Sequence, residues 1–440
     1  MLRVFANRTY SHLFAAQVVA LIGTGLATVA LGLLAYDLAG AQAGAVLGTA
    51  LAIKMVAYVG VSPIAAAFAE QLPRRGMLVA LDLVRAVVAL ALPFVDQIWQ
   101  VYVLIFVLQS ASASFTPTFQ ATIPDVLPEE GDYTRALSFS RLAYDLESVV
   151  SPMLAAALLT VIGFHTLFAG TVVGFLASAA LVVSVVLPSP KPTERRGIYD
   201  RTTRGMRIYL ATPRLRGLLA LNLAAAAASA MVIVNTVVLV QAKFGLGQRE
   251  SAFALAAFGG GSMVAAFLLP RLLDSLPDRQ AMTTGAMTLV VCLAAGSVLP
   301  GYAWLLPLWF VLGLGYSLTQ TPSGRQLRRS SQAEDRPALF AAQFALSHAC
   351  WLVTYPVAGW VGAKAGMPVA FLLLATIAAA AVIAALALWP ATDPEELDHV
   401  HDHLPPDHPH LAGAGRSDTG YRHAHAFVID NHHPEWPRSG

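Results

Sequence analysis

The sequence predicts an all-α membrane protein: twelve transmembrane helices in two six-helix pseudo-repeats, followed by a disordered C-terminal tail. Four observations lead there. Of 440 residues, 56% are hydrophobic and only 12% charged, against roughly 25% charged in soluble domains. The apolar residues gather in long blocks, and a bilayer needs about 20 mostly apolar residues per helix. Strand-length alternation is absent, so helices rather than a barrel satisfy the backbone in lipid. Finally, separated stretches echo one another at shifts of 204 and 205 residues.

The blocks run 11–36, 43–69, 77–95, 98–120, 138–162, 165–187, 215–241, 251–273, 280–299, 302–322, 338–362 and 367–389. The first is too long for a signal-peptide h-region, has no convincing small-residue cleavage site and precedes further spans, so it is expected to be retained. A connection with Pro188, Pro190, Pro192 and a basic run divides the spans six and six. The expected units are an N-terminal bundle (1–187), a linker (188–214), a C-terminal bundle (215–390) and a tail (391–440). Between the halves, Pro117 pairs with Pro322, Pro152 with Pro356, and Gln17 of "LFAAQVV" with Asn222 of "LLALNLA". Two six-helix halves are the layout of one large transporter class.

Orientation follows the side on which short loops collect Lys and Arg. Arg3, Arg8, Arg74, Arg75, Arg135, Arg271, Arg279, Arg325, Arg328, Arg329 and Arg336 fall on one side, joined by the basic linker; the other holds Lys243, Arg249 and Lys364. Both termini, the linker and the tail are therefore expected in the cytoplasm, with the chain in a bacterial-type inner membrane. The basic linker faces anionic lipid better than nucleic acid. The only cysteines, Cys292 and Cys350, lie within spans without Cys-x-x-Cys spacing, which argues against a disulfide framework or a thiolate zinc site.

A charge at the middle of a span costs about 2.5–3.5 kcal/mol on insertion scales, so such residues usually face a cavity or a partner. Lys54, about eleven residues into the second span, is a candidate substrate-facing or coupling charge, with a structural salt bridge as the alternative. In the fifth span, Arg141 precedes Asp145 by one helical turn and suits a bracing pair, which leaves Glu147 as the better proton-coupling carboxylate. Asp82 and Arg85, at i and i+3, suit a local ion pair. His348 and Cys350 are donors for a transition metal, though i, i+2 spacing turns them to different helix faces. Gln17, Gln109, Asn222 and Asn235 line a cavity or bond between helices.

The tail is unlike the rest. It holds nine of the twelve histidines: His399, His401, His403, His408, His410, His423, His425, His432 and His433. Nine acidic residues against three arginines give it a net charge near six negative, and it carries six prolines and few apolar residues. That composition predicts disorder. Imidazoles close to carboxylates suit nickel, cobalt, copper and zinc, and protons compete for the ligating nitrogens as pH falls through about 6.5. The apolar trio Phe427, Val428 and Ile429 between histidine pairs suggests a segment that docks when metal binds.

Over residues 8–390 the sequence resembles the major facilitator superfamily. "AAAFAEQLPRRGM" (65–77) resembles a degraded form of that family's acidic and basic loop between the second and third spans. The resemblance implies a gating role for Glu70 and Arg74, with Arg75 completing the basic pair; Ala66, Gln71 and Pro73 depart from the pattern. "FTPTFQATIPDVLPEE" followed by "RAL" is similar to the drug and siderophore exporter branch. The histidine-rich tail adds a similarity to nickel-resistance exporters of the NreB type. Together these imply proton-driven alternating access, no resident cofactor, and a small cargo: a divalent metal, Ni2+ first with cobalt or zinc next, handled by a monomer. An organic solute such as a siderophore, metal chelate or drug is the alternative, favoured by Lys54; a membrane-anchored metal sensor is another. No Walker loop, Gly-x-Ser-x-Gly elbow or His-Glu-x-x-His pair is present, so no enzyme chemistry is expected.

Overall fold

The computed structural model describes residues 2–69, 73–188, 198–272, 276–332, 335–393, 396–401, 405, 409–411, 415–417, 420–430, 433 and 436. For some positions inside these segments, Arg141 and Asp145 among them, only the backbone is described. Long helices follow the apolar blocks: α1 (Arg8–Ala39), α2 (Ala43–Ala69), α3 (Arg74–Ala91), α4 (Ile98–Val126), α5 (Glu130–Leu158) and α6 (Phe164–Val183). After α7 (Ile198–Ala211) come α8 (Pro213–Val237), α9 (Gln248–Leu272), α10 (Asp278–Gly296), α11 (Tyr302–Gln320), α12 (Ser323–Arg329), α13 (Arg336–Pro356), α14 (Gly362–Ala365) and α15 (Met367–Leu388). Among the described residues, eight helical stretches are long and apolar enough to cross a membrane, the longest running Arg8–Val61.

Helix ends follow local chemistry. The Asn7 side chain accepts from the Tyr10 backbone N–H at 3.1 Å and caps α1, a bond worth about 1 kcal/mol at such a cap. Gly40 adopts φ +53° where α1 turns into α2, a conformation that costs a side-chain-bearing residue roughly 1–2 kcal/mol. Helices α8 and α13 each loosen into a π turn, Val238–Lys243 and Val357–Val361. The second follows Pro356, which has no N–H to give the α-helical ladder.

Helices α1–α6 meet α8–α15 through α2 against α13 and α5 against α9. At the end of the bundle away from the tail the approach is close. A Cβ on Gly359 would stand 2.1 Å from the Gly44 carbonyl oxygen, and one on Gly48 2.6 Å from that of Tyr355. Only glycine permits backbones this near. Trp360 Nε1 donates to Thr49 Oγ1 across the same seam at 3.0 Å.

Two expectations need correction. The linker is not all loop: α7 is an amphipathic helix that packs on α13, with Tyr209 Oη donating to Gln343 Oε1 at 2.5 Å and Arg204 paired to Asp335 at 2.6 Å. The tail is not disordered where it is described. Strands β1 (Glu396–His401), β2 (Gly415–Ser417) and β3 (Gly420–Ala426) form an antiparallel sheet in the order β1-β3-β2. Phe427 and Ile429 are buried in the main core and Trp436 packs against it. Composition averaged over the tail conceals these few well-placed apolar anchors.

Candidate transport site and histidine centre

Polar residues from both sets of helices meet at the seam. Lys54 of α2 and Glu147 of α5 lie within electrostatic reach of each other, and the Lys54 ammonium stands 5.5 Å from the Tyr58 ring centroid. From the opposite side, His348 of α13 meets Tyr58 edge-on at 5.1 Å and packs 4.0 Å from Phe344. Its Nδ1 donates to the Phe344 carbonyl at 2.6 Å. Trp351 lies 6.1 Å from His348 and is held by its Nε1 donating to Ser229 Oγ at 2.8 Å. Tyr355 feels both Tyr58 and Glu147. Lys54, Glu147 and His348 thus share one site, bridged by Tyr58.

A small residue lets α1 and α5 pack closely beside this site. A Cβ on Gly25 of α1 would come 2.7 Å from Glu147 Oε1 and 2.1 Å from Ser151 Oγ, so glycine lets α5 press its carboxylate toward α1. The aromatics Tyr58, Trp351 and Tyr355 were not among the expected site residues. Tyr58 stands at i+4 from Lys54, one helical turn along the same face, and that spacing was the available signal.

Other expected residues serve elsewhere. Gln17 accepts from Ser140 Oγ at 3.0 Å and ties α1 to α5. Asn235 donates to the Ala358 carbonyl at 2.9 Å and sits against Gly44 and Gly362, bracing the second π turn rather than lining the polar site. Asn222 is buried in α8 and Gln109 in α4, and among the described residues neither Asn222 Nδ2 nor Gln109 Oε1 has a hydrogen-bond partner. Cys350 turns its thiol to the Leu346 carbonyl at 3.5 Å, against α8, so it does not converge with His348.

Asp82 and Arg85 form the local pair their spacing implies. Ser178 Oγ donates to Asp82 at 2.7 Å, and the guanidinium lies 4.2 Å from the Phe115 ring and 4.5 Å from Phe175, welding α3 to α4 and α6. Arg74 pairs with Asp125 at the end of α4, and Arg75 donates to the Val183 carbonyl. Glu70 lies outside the described residues, as do the side chains of Arg141 and Asp145.

The second centre is in the tail. Strand period 2 puts alternate residues on one face, so His399 and His401 of β1 share a face with His423 and His425 of β3, where His399 pairs in register with His423. His410, from the turn Pro409–Leu411, and His433 complete the group. The Nε2 atoms approach closely: His399 to His401 at 3.1 Å, His401 to His410 at 3.1 Å, His410 to His433 at 3.2 Å and His433 to His399 at 3.0 Å. His423 Nε2 and His425 Nε2 are buried and make no hydrogen bond among the described residues. The outer nitrogens are committed, with Nδ1 of His399 donating to the Leu397 carbonyl (3.0 Å), of His425 to the Ala426 carbonyl (2.9 Å) and of His433 to Asp430 Oδ1 (2.8 Å). A proton held at Nδ1 leaves Nε2 as a lone pair.

Converging lone pairs repel one another unless a cation lies between them. Burial lowers the pKa of His399 and His423 and pushes His401 down to about 4, with neighbouring imidazoles adding to the effect. At neutral pH these rings are uncharged, the form that binds metal. A cavity of about 520 Å³ beside His410, His423 and His425 offers an approach. His403, His408 and His432 lie outside the described residues.

The tail is joined to the helices by a short polar chain. Asp393 takes Arg329 at 3.0 Å, Arg214 at 3.3 Å and Trp389 Nε1 at 3.0 Å. Arg214 also lies 5.2 Å from the Trp436 ring, and Gln332 donates to Asp430 Oδ2 at 3.0 Å.

A family model described as the Major Facilitator Superfamily matches residues 13–323 and 217–406. The chain belongs to that superfamily. An uncharacterized MFS-type transporter, YfiS of Bacillus subtilis (strain 168), is 20% identical over 281 residues, 59% of this chain and 64% of that protein. Macrolide efflux protein A of Streptococcus pyogenes is 25% identical over 152 residues, 32% of this chain and 37% of that protein. The chain therefore spans less than two thirds of these curated relatives. Among solved structures, a D-xylose-proton symporter superposes with a TM-score of 0.63 at 13% identity, covering 89% of this chain and 98% of its own. A POT family transporter in complex with a thioalcohol-conjugated peptide gives 0.67 at 10% identity, covering 86% and 96%. This major facilitator protein is a multi-pass membrane protein.

Proposed function

We propose that this transporter exports a divalent transition-metal ion, nickel first with cobalt or zinc next, from the cytoplasm in exchange for protons. In this reading twelve spans form two halves that rock about the Lys54, Glu147, Tyr58 and His348 site, and Glu147 carries the proton. The chain works as a monomer in a bacterial-type inner membrane, with both termini and the tail in the cytoplasm, where the tail gathers or senses metal. The observation that carries the reading is the six-imidazole centre fastened to the helices through Asp430 and Asp393. The efflux role named for one relative supports the direction of transport.

A second reading rests on the walls of the transport site. Lys54 repels a bare cation, and Tyr58, Trp351 and Tyr355 suit an organic anion or a metal chelate, with the tail then acting only as regulator. Elemental analysis of cells loaded with nickel, cobalt or zinc separates the two, comparing empty vector, the full chain and a chain ending at Pro390. Lower metal with the full chain, weakened by truncation, supports metal export. Unchanged metal content in cells bearing inserted protein overturns it in favour of the organic solute.

A further inference from the structure

The six imidazoles are arranged in a particular way. Around each ring, four of the other five lie with centroids 4.7 to 5.2 Å away. The fifth stands opposite: His399 faces His410, His401 faces His425, and His423 faces His433. Six points, each with four neighbours and one antipode, are the vertices of an octahedron. An octahedral edge is √2 times the distance to the centre, so Nε2 separations of 3.0 to 3.2 Å place a central ion about 2.2 Å from each nitrogen, near the usual range for metal–imidazole bonds. The ligand nitrogens of His399, His401, His410, His423 and His425 all lie within 4.8 Å of one another, as opposite vertices of such a figure require.

We infer that the tail is a preorganised six-coordinate, all-imidazole site that selects Ni2+, and Co2+ after it, over Zn2+. The inference deepens the metal reading above and rests on it for its purpose, but its chemistry stands on the geometry alone. Zinc in structural sites is almost always tetrahedral with four ligands. Filling this site with zinc either strands two buried imidazoles or stretches the ion to a coordination it takes reluctantly. Copper(II) prefers a tetragonal field and meets six similar nitrogens instead. Nickel and cobalt accept six nitrogen donors without distortion. Affinity order alone cannot separate nickel from zinc reliably, so geometry supplies the discrimination.

The site is also built rather than accidental. Two strands supply four of the ligands, the turn at Pro409–Leu411 supplies His410, and Asp430 orients His433. Phe427 lies 5.0 Å from His399 and 4.7 Å from His433, walling the cluster on the core side.

The test uses the purified full chain. Titration with Ni2+, Co2+ and Zn2+ separately, then in competition, reads stoichiometry and preference, and X-ray absorption on the nickel and cobalt forms reads coordination number. The expected result is one tightly held ion per chain, six nitrogen neighbours, the weak d–d absorption of six-coordinate cobalt, and nickel displacing zinc. His410→Ala or His423→Ala should weaken nickel at least about tenfold, while His165→Ala, far from the tail, leaves it unchanged. Intense four-coordinate cobalt bands, zinc displacing nickel, or several weakly held ions overturns the inference, whatever the variants do. A six-coordinate site in a chain that leaves cellular metal unchanged would overturn metal export and leave this inference standing.

Discussion

The seam at Lys54 and the histidine centre in the tail are both polar sites in an apolar protein, but they are assembled differently. The seam draws its residues from α2, α5 and α13, helices distant in sequence and brought together only by packing. The tail draws on one sheet and two turns, with ligands repeated at strand spacing within a short span. A site shared among separate helices can be exposed to alternate sides when the helices tilt, whereas a locally closed cage holds its ligand. The first is suited to transport and the second to capture and sensing.

The largest test of this contrast removes one partner at the seam. Lys54 and Glu147 lie within electrostatic reach of each other, and removing either charge leaves the other without its counter-charge in a half-buried site. Lys54→Met and Glu147→Gln should each lower the melting temperature and abolish transport in proteoliposomes. The double variant should recover stability and stay inactive. Nickel bound per chain should not change in any of them. Transport surviving Glu147→Gln at wild-type rate would remove this carboxylate from the mechanism.

Next comes the close crossing away from the tail. Gly359→Ala forces a Cβ to within 2.1 Å of the Gly44 carbonyl oxygen, and overpacking of this kind costs about 1–3 kcal/mol. Because the clash arises only while this end is shut, the variant should favour the conformation open there and slow transport, again with tail binding intact. Cysteine accessibility along α2, measured with and without the substitution, would show whether the population moves.

Much of this was legible in the sequence, and the failures have physical causes. Helix positions followed from long apolar blocks, and the Asp82 and Arg85 pair from i, i+3 spacing. That Lys54 meets Glu147 could not be read, because no single sequence says which helix faces pack together. The π turns at Val238–Lys243 and Val357–Val361 leave hydrophobic period unchanged over so few residues. The tail departs from its composition for a different reason. Its composition is that of a disordered chain, yet "HVH" at 399–401 and "HAH" at 423–425 carry the i, i+2 spacing that puts ligands on one face of a strand.

Acid should separate the two centres. In an opened tail histidines take up protons below about 6.5, whereas in the folded cluster His399 and His423 are lowered and His401 holds out to about 4. The open form therefore binds more protons, and the fold of the tail loses stability as pH falls from about 6.5 toward 4. At pH near 7.5 that contribution is intact. Trp436, stacked over Arg214, reports the opening as the emission difference between the chain and its Trp436→Phe variant. A difference spectrum that stays constant from about pH 7.5 to 5 would show that the cluster does not hold the tail closed.

The smallest expected effect is the most informative about communication between the centres. Gln332, just beyond α12, donates to the same Asp430 that orients His433. A single hydrogen bond of this kind is worth about 0.5–1.5 kcal/mol, so Gln332→Ala should weaken nickel binding by less than about tenfold. If the tail is only a store, transport at saturating nickel will be unchanged by the substitution. If the tail acts as a sensor, the filled site must favour one transporter conformation over another by a difference in contacts, and this bond is one such contact. The dependence of the transport rate on tail occupancy should then flatten while occupancy itself is restored by adding more metal. Transport rate plotted against measured occupancy, for both chains, distinguishes the two.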